Sequence, residues 1–396
     1  MKLKQEPEDF QVEELTDVAP TGEGPFALYR MEKRGWATPD ALAAIRRRWK
    51  IEPRRLSYGG LKDRHARTIQ YLTIFHGPKR NLTHHQISVD YLGQIREPYT
   101  STSIRANRFI VRMRDLTMAE VDAAQIALNE VRAFGLPNYF DDQRFGSVTP
   151  GGEFIARLVV LERYEDALRL ALAGPYEFDR AEQKREKGIL REHWGDWTTC
   201  KKQLPRSHAR SLVDYLLHHP GDFRGALARL RPELRGLYLS AYQSHLWNRI
   251  LARWLERHCR AEQIVKAQLR LGSLPMHRSL DAGQQRQLEE LLVPLPSARL
   301  RLGSDDPLAS LIHEVLAEDG LTLSGMKIKG IRELFFSRGE RAALCRPAAL
   351  TAQTERDADK GERCNLLLTF ELPRGAYATL LVKRICPQRP AEFTVC

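Results

Sequence analysis

Tyr58-Gly59-Gly60-Leu61-Lys62-Asp63-Arg64-His65-Ala66-Arg67-Thr68-Ile69-Gln70 places one carboxylate, Asp63, among three fixed cations and behind two glycines. An acid in that company stays ionised at neutral pH, because nearby positive charge favours the charged form. The glycines let the backbone turn tightly or approach a ligand closely. Read alone, the pattern describes a turn carboxylate paired with Arg64 or Arg67 more readily than a reacting group. The rest of the chain has to decide between the two.

A chain of 396 residues is long for one compact domain and suggests two. Its net charge of +12 argues for a polyanionic partner, nucleic acid ahead of a membrane surface. The plainer alternative is a soluble basic enzyme with scattered surface arginines. The first ten residues lack the apolar core of a signal peptide, and no apolar run approaches the roughly 20 residues of a membrane helix. No membrane association is expected. Six cysteines carry no CxxC pair, which is neither a disulfide framework nor a zinc site and fits a reducing cytoplasm.

Thr38-Pro39-Asp40 opens a helix with a capping hydroxyl, a proline in the first turn and an acid behind it. Leu42, Ile45 and Trp49 form its apolar stripe. The closing run Arg46-Arg47-Arg48-Trp49-Lys50 suits the helix dipole or faces phosphates. From Arg108 to Leu116, Phe109, Val111 and Met113 alternate with Ile110, Arg112 and Arg114, a strand with one face on a core. Thr117 and Glu120 make a capping box for a helix to about Phe134, stopped by Gly135 and Pro137. Asn138 to Gly146 therefore begins in a loop just past a helix end, where function tends to sit.

Beyond about residue 165 helical patterns dominate. Residues 180–210 carry nine Lys/Arg against four Asp/Glu, with Trp194 and Trp197 among them. That suits an RNA backbone and splayed bases, or a helix pair whose tryptophans are core anchors. Leu237 to His258 reads as one long helix. Residues 351–363 read as an exposed loop, and Asn365 to Glu371 as a strand. Beta-rich segments at both ends with helices between imply an α+β fold, one domain split by a mostly helical insert.

Several chemistries lack their signatures: there is no GxxxxGK[ST] loop, no GxSxG elbow and no HExxH pair. His84-His85 and His218-His219 have no acid or cysteine at ligand spacing, so no metal site is expected. His65 lies two residues past Asp63, but no serine or cysteine offers itself as its nucleophile.

Four segments taken together resemble the TruD family of tRNA pseudouridine synthases. Lys4 to Glu14 (KQEPEDFQVEE) is similar to the family's opening K-x-x-PEDF-x-V-x-E. Gly60 to Gln70 resembles its G-x-KD-x-x-A-x-T-x-Q motif, Pro137 to Gly146 its PNYF-x-x-QRFG, and Leu372 to Thr379 its LP-x-G-S-[FY]-AT. Leu239 to Asn248 adds a weaker fifth match. Ala376 replaces the usual serine, Trp247 the usual phenylalanine and Ala106 the usual glycine. None of these departures touches Asp63.

The resemblance implies a pseudouridine synthase catalytic domain, a mixed and largely antiparallel sheet flanked by helices, over residues 1–164 and 346–396. A mostly helical insertion domain would occupy 165–345. It implies Asp63 as the catalytic residue on a flipped-out uridine, most often uridine 13 of the tRNA D arm. Phe10 and Tyr377 would line the pocket with Phe140 nearby, Asn138 would match the uracil edge, and Lys4 would be the pocket cation in preference to Lys62. The reaction needs no cofactor and no metal; tRNA is the expected partner, and no obligate protein partner is evident. Two rivals stand beside it: a non-catalytic RNA-binding or RNA-folding protein of the same fold, and a hydrolase pairing Asp63 with Asp141 and Asp142.

Overall fold

The computed structural model describes residues 2–149, 151–176, 179–303, 305–331, 334–356, 363–386 and 392–393. Its centre is an eight-strand path, in the order Ala348–Arg356, Cys364–Pro373, Ala106–Leu116, Phe10–Leu15, Arg67–Phe75, Phe26–Arg34, Ile87–Ile95 and Leu82–His84. Along this path only Phe10–Leu15 and Arg67–Phe75 run parallel; the other neighbours are antiparallel. The architecture is α+β, a mixed and largely antiparallel sheet with helices against it.

Side-chain alternation builds this sheet. Phe109, Val111 and Met113 point into one apolar cluster, shared with Phe10, Leu366, Leu368 and Phe370 from neighbouring strands. The helix Met118–Phe134 lays Val121, Leu128 and Val131 on the same cluster. Its capping box forms, with Thr117 N–H donating to Glu120 at 2.8 Å and Glu120 N–H to Thr117 Oγ1 at 3.3 Å. Gly135 ends it with φ of 78°, which a glycine adopts without steric cost. At the other side of the sheet, Ala27, Tyr29 and Met31 meet Leu42, Ile45 and Trp49 of the helix Thr38–Trp49.

The helical region feeds two cores. Ile155, Leu168, Leu190, Trp197, Leu212, Leu216 and Leu230 belong to a cluster of their own. The 27-residue helix Pro232–His258 instead lays Leu239, Tyr242, Leu246 and Ile250 on the cluster of the sheet. The helix Ala309–Glu318 and the hairpin Ile264–Leu269 with Gly272–His277 join it there.

Three local expectations change. The helix Thr38–Trp49 takes Ala37 as its N-cap, and no side chain caps it. Thr38 is buried and spends its hydroxyl elsewhere, as described below. Residues 351–356 are not loop but part of the strand Ala348–Arg356, paired with Cys364–Pro373. This strand is the outer one and largely exposed, so it carries no apolar alternation to read. Residues 357–362 of the same expected loop lie outside the described residues. Trp194 and Trp197 pack edge to face at 5.1 Å, and Trp194 Nε1 donates to Glu165. Trp197 is a buried core anchor, and Trp194 packs half-buried against the same cluster.

Gly59 sits against the sheet core: a Cβ there would come within 2.6 Å of Ile104 Cδ1 and 3.1 Å of Tyr99. At Gly60 a Cβ meets open space. Gly59→Ala is therefore expected to destabilise the fold by about 1–3 kcal/mol in urea denaturation, and Gly60→Ala to leave it within about 0.5 kcal/mol.

Candidate active site

Asp63 lies in the loop that joins the strand Leu56–Tyr58 to Arg67–Phe75. That loop is pinned to buried polar groups. Lys62 N–H donates to Thr38 Oγ1 at 2.9 Å, the Thr38 hydroxyl donates to Gln70 Oε1 at 3.0 Å, and Gln70 Nε2 donates to Gly60 O at 3.3 Å. Thr38, Gln70 and Lys33 are all fully buried. The cap hydroxyl read from the sequence is thus the bracket that fixes the backbone beside the acid.

The side chains of the loop diverge. Lys62 turns to the buried Glu14 at 3.0 Å and to Asn107 Oδ1 at 2.7 Å. Asp63 instead meets Lys4, whose Nζ lies 2.6 Å from Oδ2. Gln143 Nε2 adds 3.2 Å and 3.4 Å contacts to the two carboxylate oxygens. Lys4 also stands 4.0 Å above the Phe10 ring. It reaches both groups from a left-handed backbone with φ of 55°, which costs a non-glycine residue roughly 1–2 kcal/mol. Strain held at one lysine that touches the acid is the kind found at functional sites.

Burial pushes the Asp63 carboxyl up. The Lys4 charge and hydrogen bond, the Gln143 hydrogen bond and the Lys33 charge outweigh it, and the group rests below its ordinary 3.8. Asp63 is an anion throughout the neutral range.

A cleft of about 280 Å³ opens at this carboxylate, lined among others by Phe10, Asn107, Gln143, Arg374 and Tyr377. That is room for a base and its sugar. Tyr377 stands at the N-cap of the helix Ala378–Ile385. Phe140 packs edge-on behind it at 6.4 Å, and against Trp247 at 5.4 Å. Phe140 backs the wall and does not line the cleft. The Arg341 guanidinium lies 4.5 Å over the Phe140 ring.

Asn138 is placed differently from expectation. Its Nδ2 donates to Ala342 O at 3.0 Å, and its Oδ1 accepts from Arg341 at 2.5 Å. The segment Leu136–Pro137 pairs with Leu344–Cys345, and Asn138 N–H donates to Ala343 O at 2.7 Å. That pairing turns the amide into the wall, away from the cleft. The polar edges that do face the cleft come from Gln143, Asn107 and Arg374.

Asp141 and Asp142 have another task. The buried Asp141 accepts from the Thr379 hydroxyl and pairs with Lys383, which also lies 2.6 Å from Asp142. Together they tie the 138–146 loop to the helix that carries Tyr377. This geometry removes them as an acid–base partner for Asp63. Among the described residues, no cluster of His, Cys, Asp and Glu is arranged to hold a metal ion.

With this geometry in place, the family profile described as tRNA pseudouridine synthase D (TruD) matches residues 1–385. The chain belongs to the TruD family. It is accordingly an isomerase of the pseudouridine synthase class. It is 30% identical to a protein of Methanocaldococcus jannaschii assigned as a tRNA pseudouridine synthase D, over 97% of this chain and 91% of that one. The tRNA pseudouridine synthase D of Aquifex aeolicus is 26% identical over 97% of this chain and 98% of its own length. A crystal structure of a candidate tRNA pseudouridine synthase D from Methanosarcina mazei superposes with a TM-score of 0.73 at 25% identity. It covers 97% of this chain and 93% of that one.

For this TruD chain, sequence reasoning named Lys4, Phe10, Asp63 and Tyr377, which the fold gathers at one cleft. It gave no role to Gln143 or Gln70, although both lie inside quoted motifs. Asn107 received no role either, although it stands beside Ala106 in a stretch matched to the family, while Lys33 lies in no quoted motif.

Lys4→Met removes the cation that most opposes the effect of burial. The acid limb of kcat is expected to lie below pH 3.8 in the native protein and to move to higher pH in the variant, with turnover at pH 7 lower by at least about tenfold. Because the folded-state value is depressed, the ion pair stabilises the fold at neutral pH. That contribution is lost as pH falls through the folded value. A pH–rate profile alongside thermal melts checks both.

Proposed function

We propose that this protein converts a uridine of tRNA to pseudouridine, with Asp63 as the reacting carboxylate. The observation that carries the reading is an anion held ionised by Lys4 inside a cleft between Phe10 and Tyr377, in a protein of net charge +12. A pure RNA binder gains nothing from a carboxylate there, because it repels the phosphates that would have to approach it.

A base held in a stack is out of reach, so the uridine flips into the cleft. Stacking on an aromatic ring is worth about 1–3 kcal/mol per base, and Phe10 and Tyr377 are the rings on offer. The N1–C1′ bond then breaks, the uracil turns, and C5 bonds to C1′. N1 gains a proton and C5 loses one, so nothing is oxidised, reduced or released. Asp63 serves either by adding to uracil C6 or by acting at the ribose, through attack at C1′ or removal of a proton. Lys4 keeps it anionic until then.

The target we propose is uridine 13 in the D arm, on the strength of the family resemblance, and the setting is the cytoplasm. Residues 165–345 are proposed to act as the insert that holds the remainder of the tRNA, with the exposed Arg180, Lys184, Arg185, Arg191, Lys202 and Arg206 as its contribution to phosphate binding.

Asp63→Asn is expected to abolish pseudouridine formation, by more than about a thousandfold, while tRNA affinity stays within a few-fold. Pseudouridine mapping with a parallel binding assay reads both; turnover retained in the variant would sink the assignment. Affinity of the native protein should fall steeply and log-linearly between 50 and 200 mM salt, on the order of tenfold or more.

A further inference from the structure

Lys33 ends a run that strand alternation reserves for apolar side chains. Ala27, Tyr29 and Met31 precede it on the same face of Phe26–Arg34, and like them it is fully buried. A buried charge is unfavourable unless it is hydrogen-bonded or paired. The three donors of this ammonium go to main-chain carbonyls: Trp36 O at 2.7 Å, Asp63 O at 2.9 Å and Lys62 O at 3.5 Å.

Two of those carbonyls belong to the peptide groups on either side of the Asp63 Cα. Holding both fixes the two backbone torsions at that residue, and with them the direction in which its carboxylate leaves the chain. An apolar residue at position 33 would remove the hydrogen bonds to Trp36 O and Asp63 O and leave Lys62 O with only the 3.4 Å contact from the Thr38 hydroxyl. We infer that Lys33 is a positioning residue for Asp63, clamping both flanking peptides from within the core and lending the carboxylate a second cation behind Lys4. The inference rests on the proposed function of Asp63.

The charged groups that act on Lys33 are Asp63 and Lys62, and Lys62 is itself neutralised by Glu14 at 3.0 Å. Burial brings the Lys33 ammonium down to about 8; Asp63 pulls it up and Lys62 pushes it down. Below that pH Lys33 offers three donors and a charge. Above it, one donor and the charge are gone, the clamp opens and Asp63 loses a cation. Turnover should therefore decline as pH rises through about 8. A residue misplaced by an ångström costs an active site heavily, so the effect belongs to kcat rather than to RNA binding.

The test compares the native protein with Lys33→Met and Lys33→Arg, each checked for folding by circular dichroism. Carboxyl ¹³C NMR, with the Asp63 signal assigned by difference from Asp63→Asn, reads the acid with no RNA present. In Lys33→Met we expect Asp63 to titrate at higher pH, kcat on tRNA at pH 7 to drop at least tenfold, and KM to stay within threefold. In Lys33→Arg the cation persists and the basic limb moves to higher pH. A folded Lys33→Met with unchanged Asp63 titration and unchanged kcat overturns the inference. If Lys33→Met does not fold, a native profile with no basic limb near pH 8, or one that Lys33→Arg does not move, overturns it equally. Should the native protein form no pseudouridine at all, the proposed function fails, while the carboxyl titration still decides the place of Lys33.

Discussion

The site depends on where one strand is inserted. Phe10–Leu15 runs parallel to Arg67–Phe75 and antiparallel to Ala106–Leu116, with Gln11 opposite Arg67 and Phe10 opposite Val111. The parallel register brings the start of this strand beside the start of Arg67–Phe75, where the Asp63 loop ends. Lys4, six residues before Phe10, is thereby delivered to the carboxylate. Ala106–Leu116 in turn pairs with Cys364–Pro373, whose exit at Pro373 opposite Ala106 leads to Arg374 and Tyr377. One placement thus collects residues from both ends of the chain.

The electrostatics follow from the same arrangement. A protein of net charge +12 attracts RNA, yet the mechanism proposed above places a carboxylate at the point of contact. Half-burial alone would push Asp63 towards its neutral form. Lys4 at the carboxylate and Lys33 beneath the loop reverse that, with Gln143 supplying a hydrogen bond. Lys62, the cation nearest in sequence, is consumed by Glu14 and Asn107. It serves the loop rather than the carboxylate.

How far this was legible differs residue by residue. The strand through Phe109, Val111 and Met113 and the helix opened by Thr117 announce themselves, because alternation and capping are local physics. Asp63, Lys4 and Tyr377 could be named because motifs keep their spacing. Thr38 shows the limit: a threonine before proline suits an N-cap, and nothing local reveals that a loop 24 residues later will claim its hydroxyl. Asn138 stands in a motif, but its amide is spent on Arg341, 203 residues away. Lys33 breaks the alternation it occupies and reads as the end of a strand. The strand Ala348–Arg356 is recognised only through its partner, since an exposed outer strand has no apolar face to display.

The most direct measurement is a structure of Asp63→Asn with tRNA bound. The account predicts one uridine out of its helix and in the cleft, stacked on Phe10 or Tyr377, with its glycosidic bond or C6 within about 3.5 Å of the side chain at position 63. RNA bound with the cleft empty, or with every uridine far from position 63, would contradict it.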